Sequence, residues 1–120
     1  MTNTTSFADW QAKAKALTIR SQAFIDGEYV DAVSGKTFSC ISPSDGTCLA
    51  RIAECESADV ELAVAAARRA FDAGVWSEAS PVHRKKTLQK FARLIEQHAE
   101  ELALLESLDM GKPVADALSI

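Results

Sequence analysis

The sequence has no excess of positive charge, no long apolar run and no cysteines at a metal-binding or redox spacing, and each shortfall removes a class of function. Thirteen basic against seventeen acidic residues leave a net charge of −4, so nothing draws the chain as a whole toward a phosphate backbone or an anionic lipid surface. Nucleic acid and membranes are therefore not expected partners. No stretch approaches the roughly 20 apolar residues of a membrane-spanning helix, and Met1 to Phe7 lack the basic segment of a secretory leader. Lys13, Lys15 and Arg20 would suit an organellar transit segment, but Asp9 and the small number of basic residues argue against one. The cytoplasm is the expected compartment.

The three cysteines, Cys40, Cys48 and Cys55, are odd in number, form no CxxC pair and have no histidine at zinc-finger spacing. That pattern leads one to expect neither a disulfide framework nor a structural zinc site. Nor does any of them have a neighbouring imidazole or cation in a short motif to stabilise a thiolate, so all three read as structural or surface residues. Gly27, Gly35, Gly46, Gly74 and Gly111 fall in separate turns and helix ends, and no GxGxxG or GxxxxGKS/T cradle for phosphate can be assembled from them. The cluster Arg84, Lys85, Lys86 lacks interleaved aromatics and reads as a hydrated helix surface.

What is present is the composition of a folded protein. With 48% hydrophobic and 25% charged residues over 120 positions, the chain could supply the core of one small domain. Phe7, Trp10, Ala14 and Leu17 recur at helical steps behind Ser6, a cap, with Asp9 in the first turn. From Ala23 the pattern changes to short strands. Ala23 to Ile25 and Glu28 to Val30 are joined by Asp26-Gly27, which suits a two-residue type I′ hairpin. Ser34-Gly35 turns the chain, Thr37 to Ile41 forms a strand, Pro43 to Gly46 a β-turn, and Thr47 to Ile52 the returning partner. The section reads as a meander with no room for a βαβ crossover.

Beyond Cys55 the pattern is helical, with Ser57 as the expected cap. Val60, Ala63, Val64, Ala67, Ala70 and Phe71 share one face, and Gly74 ends the helix. Ser80-Pro81 starts another, whose stripe of Leu88, Phe91, Ala92, Ile95, Ala99 and Leu102 continues through a kink near His98 to a stop at Gly111. The fold class expected is α+β: an amino-terminal helix, an antiparallel meander, then long antiparallel helices.

Four segments, in order, resemble the amino-terminal region of the aldehyde dehydrogenase superfamily. Phe24-Ile25-Asp26-Gly27-Glu28-Tyr29 is similar to its opening hairpin, and Ile41-Ser42-Pro43-Ser44-Asp45-Gly46 resembles its asparagine-proline-alanine-threonine-glycine turn, with Ser42 in place of the asparagine. Ala63 to Phe71, followed by Trp76-Ser77, resembles its first long helix. Glu101 to Pro113 is similar to the segment ending in glycine-lysine-proline, with Met110 where threonine is commoner. The extension before residue 23 and the wording around Gly111-Lys112-Pro113 resemble most the bacterial ω-amino-aldehyde branch, which includes γ-glutamyl-γ-aminobutyraldehyde and guanidinobutyraldehyde dehydrogenases of polyamine and arginine breakdown.

The resemblance implies an NAD- or NADP-dependent oxidation of an aldehyde to the carboxylic acid. In the family a cysteine thiolate attacks the aldehyde, hydride passes to the nicotinamide, and a glutamate-activated water hydrolyses the thioester. The family's cysteine, glutamate, oxyanion asparagine and dinucleotide glycines all lie beyond the matched region, so no catalytic or cofactor-binding residue is assigned here. Residues 1–22 are expected to be a helical extension and 23–120 an incomplete part of the NAD(P)-binding domain, with Ile120 a truncation point and apolar faces that pack on the remainder of the subunit. One site carries over by resemblance: a monovalent cation, K+ or Na+, held by carbonyls of Cys40 and Ile41 and the carboxylate of Asp109, hard oxygen donors suited to such an ion. A homo-oligomer is expected. The competing reading is a non-catalytic assembly module that packs on a full-length subunit.

Overall fold

Ser6 opens the first helix by a reciprocal cap: its hydroxyl accepts from the Asp9 N–H at 3.2 Å while the Asp9 carboxylate accepts from the Ser6 N–H at 3.0 Å. The helix this starts, α1 (Phe7–Ala16), is the first element of the computed structural model, which describes residues 5–119. Met1 to Thr4 and Ile120, where the readings of the amino terminus and of a chain break fall, lie outside the described residues. Strands β1 (Ala23–Ile25) and β2 (Glu28–Val30) pair with Phe24 opposite Tyr29. Asp26 and Gly27, at φ 56° and 83°, make the type I′ turn expected of them. A turn closed by the Gly35 N–H to the Ala32 carbonyl, 2.7 Å, leads into β3 (Thr37–Ile41), which pairs antiparallel with β4 (Cys48–Ala53).

Three local expectations change. The strands form two separate two-stranded sheets, β1-β2 and β3-β4, instead of one meander; the Ala53 N–H to Ser21 carbonyl bond, 2.8 Å, ties them at their margins. The reversal at Pro43 is wider than a four-residue β-turn, because the Gly46 N–H bonds to the Ser42 carbonyl and the strand resumes only at Cys48. Helix α2 (Ser57–Asp72) is capped at Glu56, one residue before the serine expected to do so, because the Asp59 carboxylate takes the Glu56 N–H at 2.8 Å.

Helix α3 (Pro81–Gln97) starts at Ser80, whose hydroxyl accepts from the His83 N–H, and α4 (Ala99–Met110) follows after the single break at His98. Gly111, at φ 76°, terminates α4 as expected. A short helix, α5 (Val114–Ala117), not anticipated from the sequence, packs against α4.

The core is thin. Its buried apolar residues are Ala32, Ala66, Ala103, Leu104 and Ala117, and among the described residues no large side chain is fully buried. Helix α2 turns Asp59 and Ala66 inward, so the stripe of Val60, Val64 and Phe71 faces out. The accessible surface is 9203 Å², against roughly 6,300 Å² for a folded monomer of this mass. The radius of gyration, 18.1 Å, exceeds the about 14 Å of a globule of this length. Extents of 49 × 41 × 19 Å describe a slab little thicker than two packed layers.

Candidate functional site

The residues singled out for a cation meet where β3 ends against the end of α4. The register between β3 and β4 slips by one residue between Cys40 and Ile41, leaving Leu49 of β4 as the extra residue of a bulge opposite the end of β3. Ser42, buried, closes the following reversal by donating its N–H to the Thr47 carbonyl at 2.8 Å and accepting the Gly46 N–H. Asp45 stiffens that reversal, its Oδ1 accepting the Thr47 N–H at 3.0 Å and hydroxyl at 2.8 Å; these bonds hold its carboxyl below the ordinary value. On the helix side, Gly111 brings the backbone close to Pro43: a Cβ at this position would lie 3.4 Å from the proline ring.

This corner brings Cys40 and Asp109 together. The thiol of half-buried Cys40 donates to Asp109 Oδ1 at 3.2 Å. Ile41, exposed, is the next residue along the strand. The hydrogen bond to the Asp109 carboxylate, reinforced by burial, pushes the Cys40 thiol above its ordinary value, since ionising it would set two negative charges side by side. A thiol so held is a poor nucleophile. Cys48, the first residue of β4, and Cys55, between β4 and α2, are both exposed.

Sequence reading missed the surroundings of this pair. A cavity of about 320 Å³ is lined by Ile19, Arg20, Leu49, Ile52, Glu106 and Leu108, with Cys40 and Asp109 in its wall. Arg20 is held with its guanidinium 4.3 Å from the centre of the Tyr29 ring. Glu106 is engaged by Lys112 at 3.0 Å, both half-buried, which braces the chain across the glycine corner. Helical spacing places Glu106 and Asp109 on neighbouring positions of α4, but no local pattern signals that Arg20 joins them. Among the described residues, no group of three or more His, Cys, Asp or Glu side chains could hold a metal ion; oxygen donors for a monovalent ion would have to come mainly from the backbone.

The masking of the thiol has a measurable consequence. Iodoacetamide is expected to alkylate Cys40 about tenfold more slowly than Cys48 or Cys55 at pH 8, as read by peptide mass spectrometry. Asp109→Asn is expected to narrow the gap. Equal rates at the three sites in the parent chain would remove the thiol–carboxylate contact.

This arrangement of hairpin, proline turn, long helices and glycine-lysine-proline corner recurs in known proteins. The pattern of the aldehyde dehydrogenase family matches residues 29–119. The NADP/NAD-dependent aldehyde dehydrogenase PuuC of Escherichia coli is 49% identical over 92% of this chain and 22% of its own length. The solved γ-glutamyl-γ-aminobutyraldehyde dehydrogenase of Burkholderia cenocepacia superposes with a TM-score of 0.92 at 55% identity, over 94% of this chain and 23% of that one. The indole-3-acetaldehyde dehydrogenase AldA of Pseudomonas syringae, solved with NAD+, superposes with a TM-score of 0.92 at 57% identity over the same shares. The chain thus spans less than a quarter of the length of these relatives. With the matched pattern covering most of its residues, and the backbone following those subunits over 94% of the chain, the chain belongs to the aldehyde dehydrogenase family.

Proposed function

We propose that this chain is the amino-terminal part of an NAD- or NADP-dependent aldehyde dehydrogenase that oxidises an ω-amino or γ-glutamylamino aldehyde to its carboxylic acid. The observation that carries the reading is the superposition on the Burkholderia enzyme, whose named substrate is of that class, over 94% of this chain. When bound, the nicotinamide accepts the hydride. The residues of this chain act as scaffold: the Cys40 thiol donates to the Asp109 carboxylate, which pushes it above its ordinary value and leaves it a poor nucleophile. The reactive cysteine and glutamate belong to the region beyond the match.

The reading includes a cytoplasmic homo-oligomer; no described helix is long and apolar enough to cross a membrane. It includes K+ or Na+ on the carbonyls of Cys40 and Ile41 and the carboxylate of Asp109. Support for the ion is the meeting of β3 and α4 at the Cys40–Asp109 contact, 3.2 Å. An ion drawing Asp109 away from the thiol would speed alkylation of Cys40 when K+ replaces choline at equal ionic strength.

The test is turnover by the enzyme encoded by the whole reading frame. We expect NAD(P)H formation with γ-glutamyl-γ-aminobutyraldehyde at a kcat/KM about tenfold or more above that with indole-3-acetaldehyde, since a site that pairs a polar substrate group discriminates strongly against its absence. The reverse preference would overturn the substrate assignment. The 120-residue chain by itself is expected to give no aldehyde-dependent signal.

A further inference from the structure

We infer that Arg20 is a tethered counter-charge for Asp109: its guanidinium crosses from the Tyr29 ring to the Asp109 carboxylate when no ion is bound there, and so sets how tightly a monovalent cation binds. The ion is the one proposed above, and to that extent the inference rests on that reading; the pairing of Arg20 with Asp109 stands apart from it. The cavity they share has aliphatic walls in Ile19, Leu49, Ile52, Leu105 and Leu108. Three charged side chains stand among them, and one of these, Glu106, is already balanced by Lys112 at 3.0 Å. Arg20 and Asp109, of opposite sign, belong to no ion pair among the described residues. Among those residues the Asp109 carboxylate accepts from the Cys40 thiol, at 3.2 Å, and a thiol is a weak, neutral donor.

A positive charge is wanted at this corner for a second reason. Asp109 lies in the last turn of α4, at the negative end of the helix dipole, and no basic residue of that turn offsets it. Arg20 is placed to do so. Its side chain is exposed and is held by a guanidinium–ring contact of 4.3 Å, a weak attachment at a surface. A charge-assisted, two-pronged bond to a carboxylate is stronger, and the five N–H donors of a guanidinium suit it. The exchange needs side-chain torsions alone. Sodium or potassium would draw on the same carboxylate oxygens, and two cations facing each other across an apolar cavity repel. Arg20 and the ion therefore exclude each other, and binding of the ion sends the guanidinium back to Tyr29.

The experiment uses the enzyme encoded by the whole reading frame, in choline chloride or in NaCl at equal ionic strength. Phenylglyoxal modification of Arg20 reports whether its guanidinium is engaged; it is read by peptide mass spectrometry against Arg84, which is not in the cavity wall. In choline, Asp109→Asn is expected to raise the Arg20-to-Arg84 ratio about fivefold by removing the bidentate acceptor, and Na+ should raise it in the parent enzyme. Line broadening of the sodium resonance measures binding of the ion itself. Arg20→Gln should tighten Na+ binding about fivefold through loss of a like charge, while Arg20→Lys, which keeps the charge, holds the parent affinity within about twofold. A modification ratio indifferent to Asp109→Asn, or equal Na+ affinity with and without Arg20, would overturn the inference. Absence of Na+ binding from both the parent and Arg20→Gln would end the ion reading alone, and the ratio in choline then decides the Arg20–Asp109 pair.

Discussion

Free of other polypeptide, the chain is expected to bind an apolar-surface dye strongly and to lose helicity over a broad temperature range, without the sharp transition of a packed domain. The physical reason is the ratio of ordered backbone to buried side chain. Ordering each residue costs on the order of 1–2 kcal/mol of conformational entropy, and the main compensation is apolar area removed from water at roughly 25 cal/mol per Å². Here the buried apolar set is four alanines and Leu104, while Val60, Val64, Phe71, Leu88 and Phe91 remain in water. Those side chains are available to a dye. A monomer that melts cooperatively with little dye fluorescence would show that the slab is self-sufficient.

Replacing Asp59 by alanine is expected to release the join between the first hairpin and α2. This carboxylate is 3% exposed and accepts the Val33 N–H at 2.8 Å with one oxygen and the Glu56 N–H at 2.8 Å with the other. Alanine leaves both donors without an acceptor in a place with little water, which is costlier than never having made the bonds. Amide exchange at Val33 and Glu56 should rise roughly ten- to hundredfold. Asp59→Asn, which keeps an acceptor oxygen for one donor, should give a smaller rise.

Acid should act at the same place. The Glu56 N–H first, and the Val33 N–H second, hold the Asp59 carboxyl below its ordinary 3.8, while burial works the other way. A folded-state value lowered relative to the unfolded chain contributes stability that is complete above about pH 3.9 and fades as pH falls through the lowered value. The amide resonances of Val33 and Glu56 should therefore move together, with a midpoint below 3.8. Midpoints above that, or two unrelated ones, would dissociate the amides from Asp59.

The failures of sequence reading follow one pattern. Ser57 carries the residue type of a cap, yet Asp59, two positions on, takes the Glu56 N–H, because burial beneath Val33 gives its carboxylate a second donor that no local window reveals. The periodicity of Val60, Val64 and Phe71 marks an apolar stripe correctly but is silent on whether this chain covers it. The short α5 follows Pro113 and depends on packing against α4 to persist. Cys40 and Asp109 could be named together only through family resemblance, and the contact found is through the thiol.

What the sequence by itself determined is whatever residues within a few positions of one another decide. The Ser6–Asp9 cap, the Asp26-Gly27 turn, the helix ends at Gly74 and Gly111 and the break at His98 belong here, because capping bonds and positive φ are short-range requirements. Tertiary structure alone decided which face of α2 turns inward, that Asp59 bridges hairpin and helix, that Arg20 reaches the cavity beside Asp109, and how much apolar surface stays open. Those outcomes rest on contacts between segments far apart in the chain, whose energies depend on burial and geometry that no local pattern encodes.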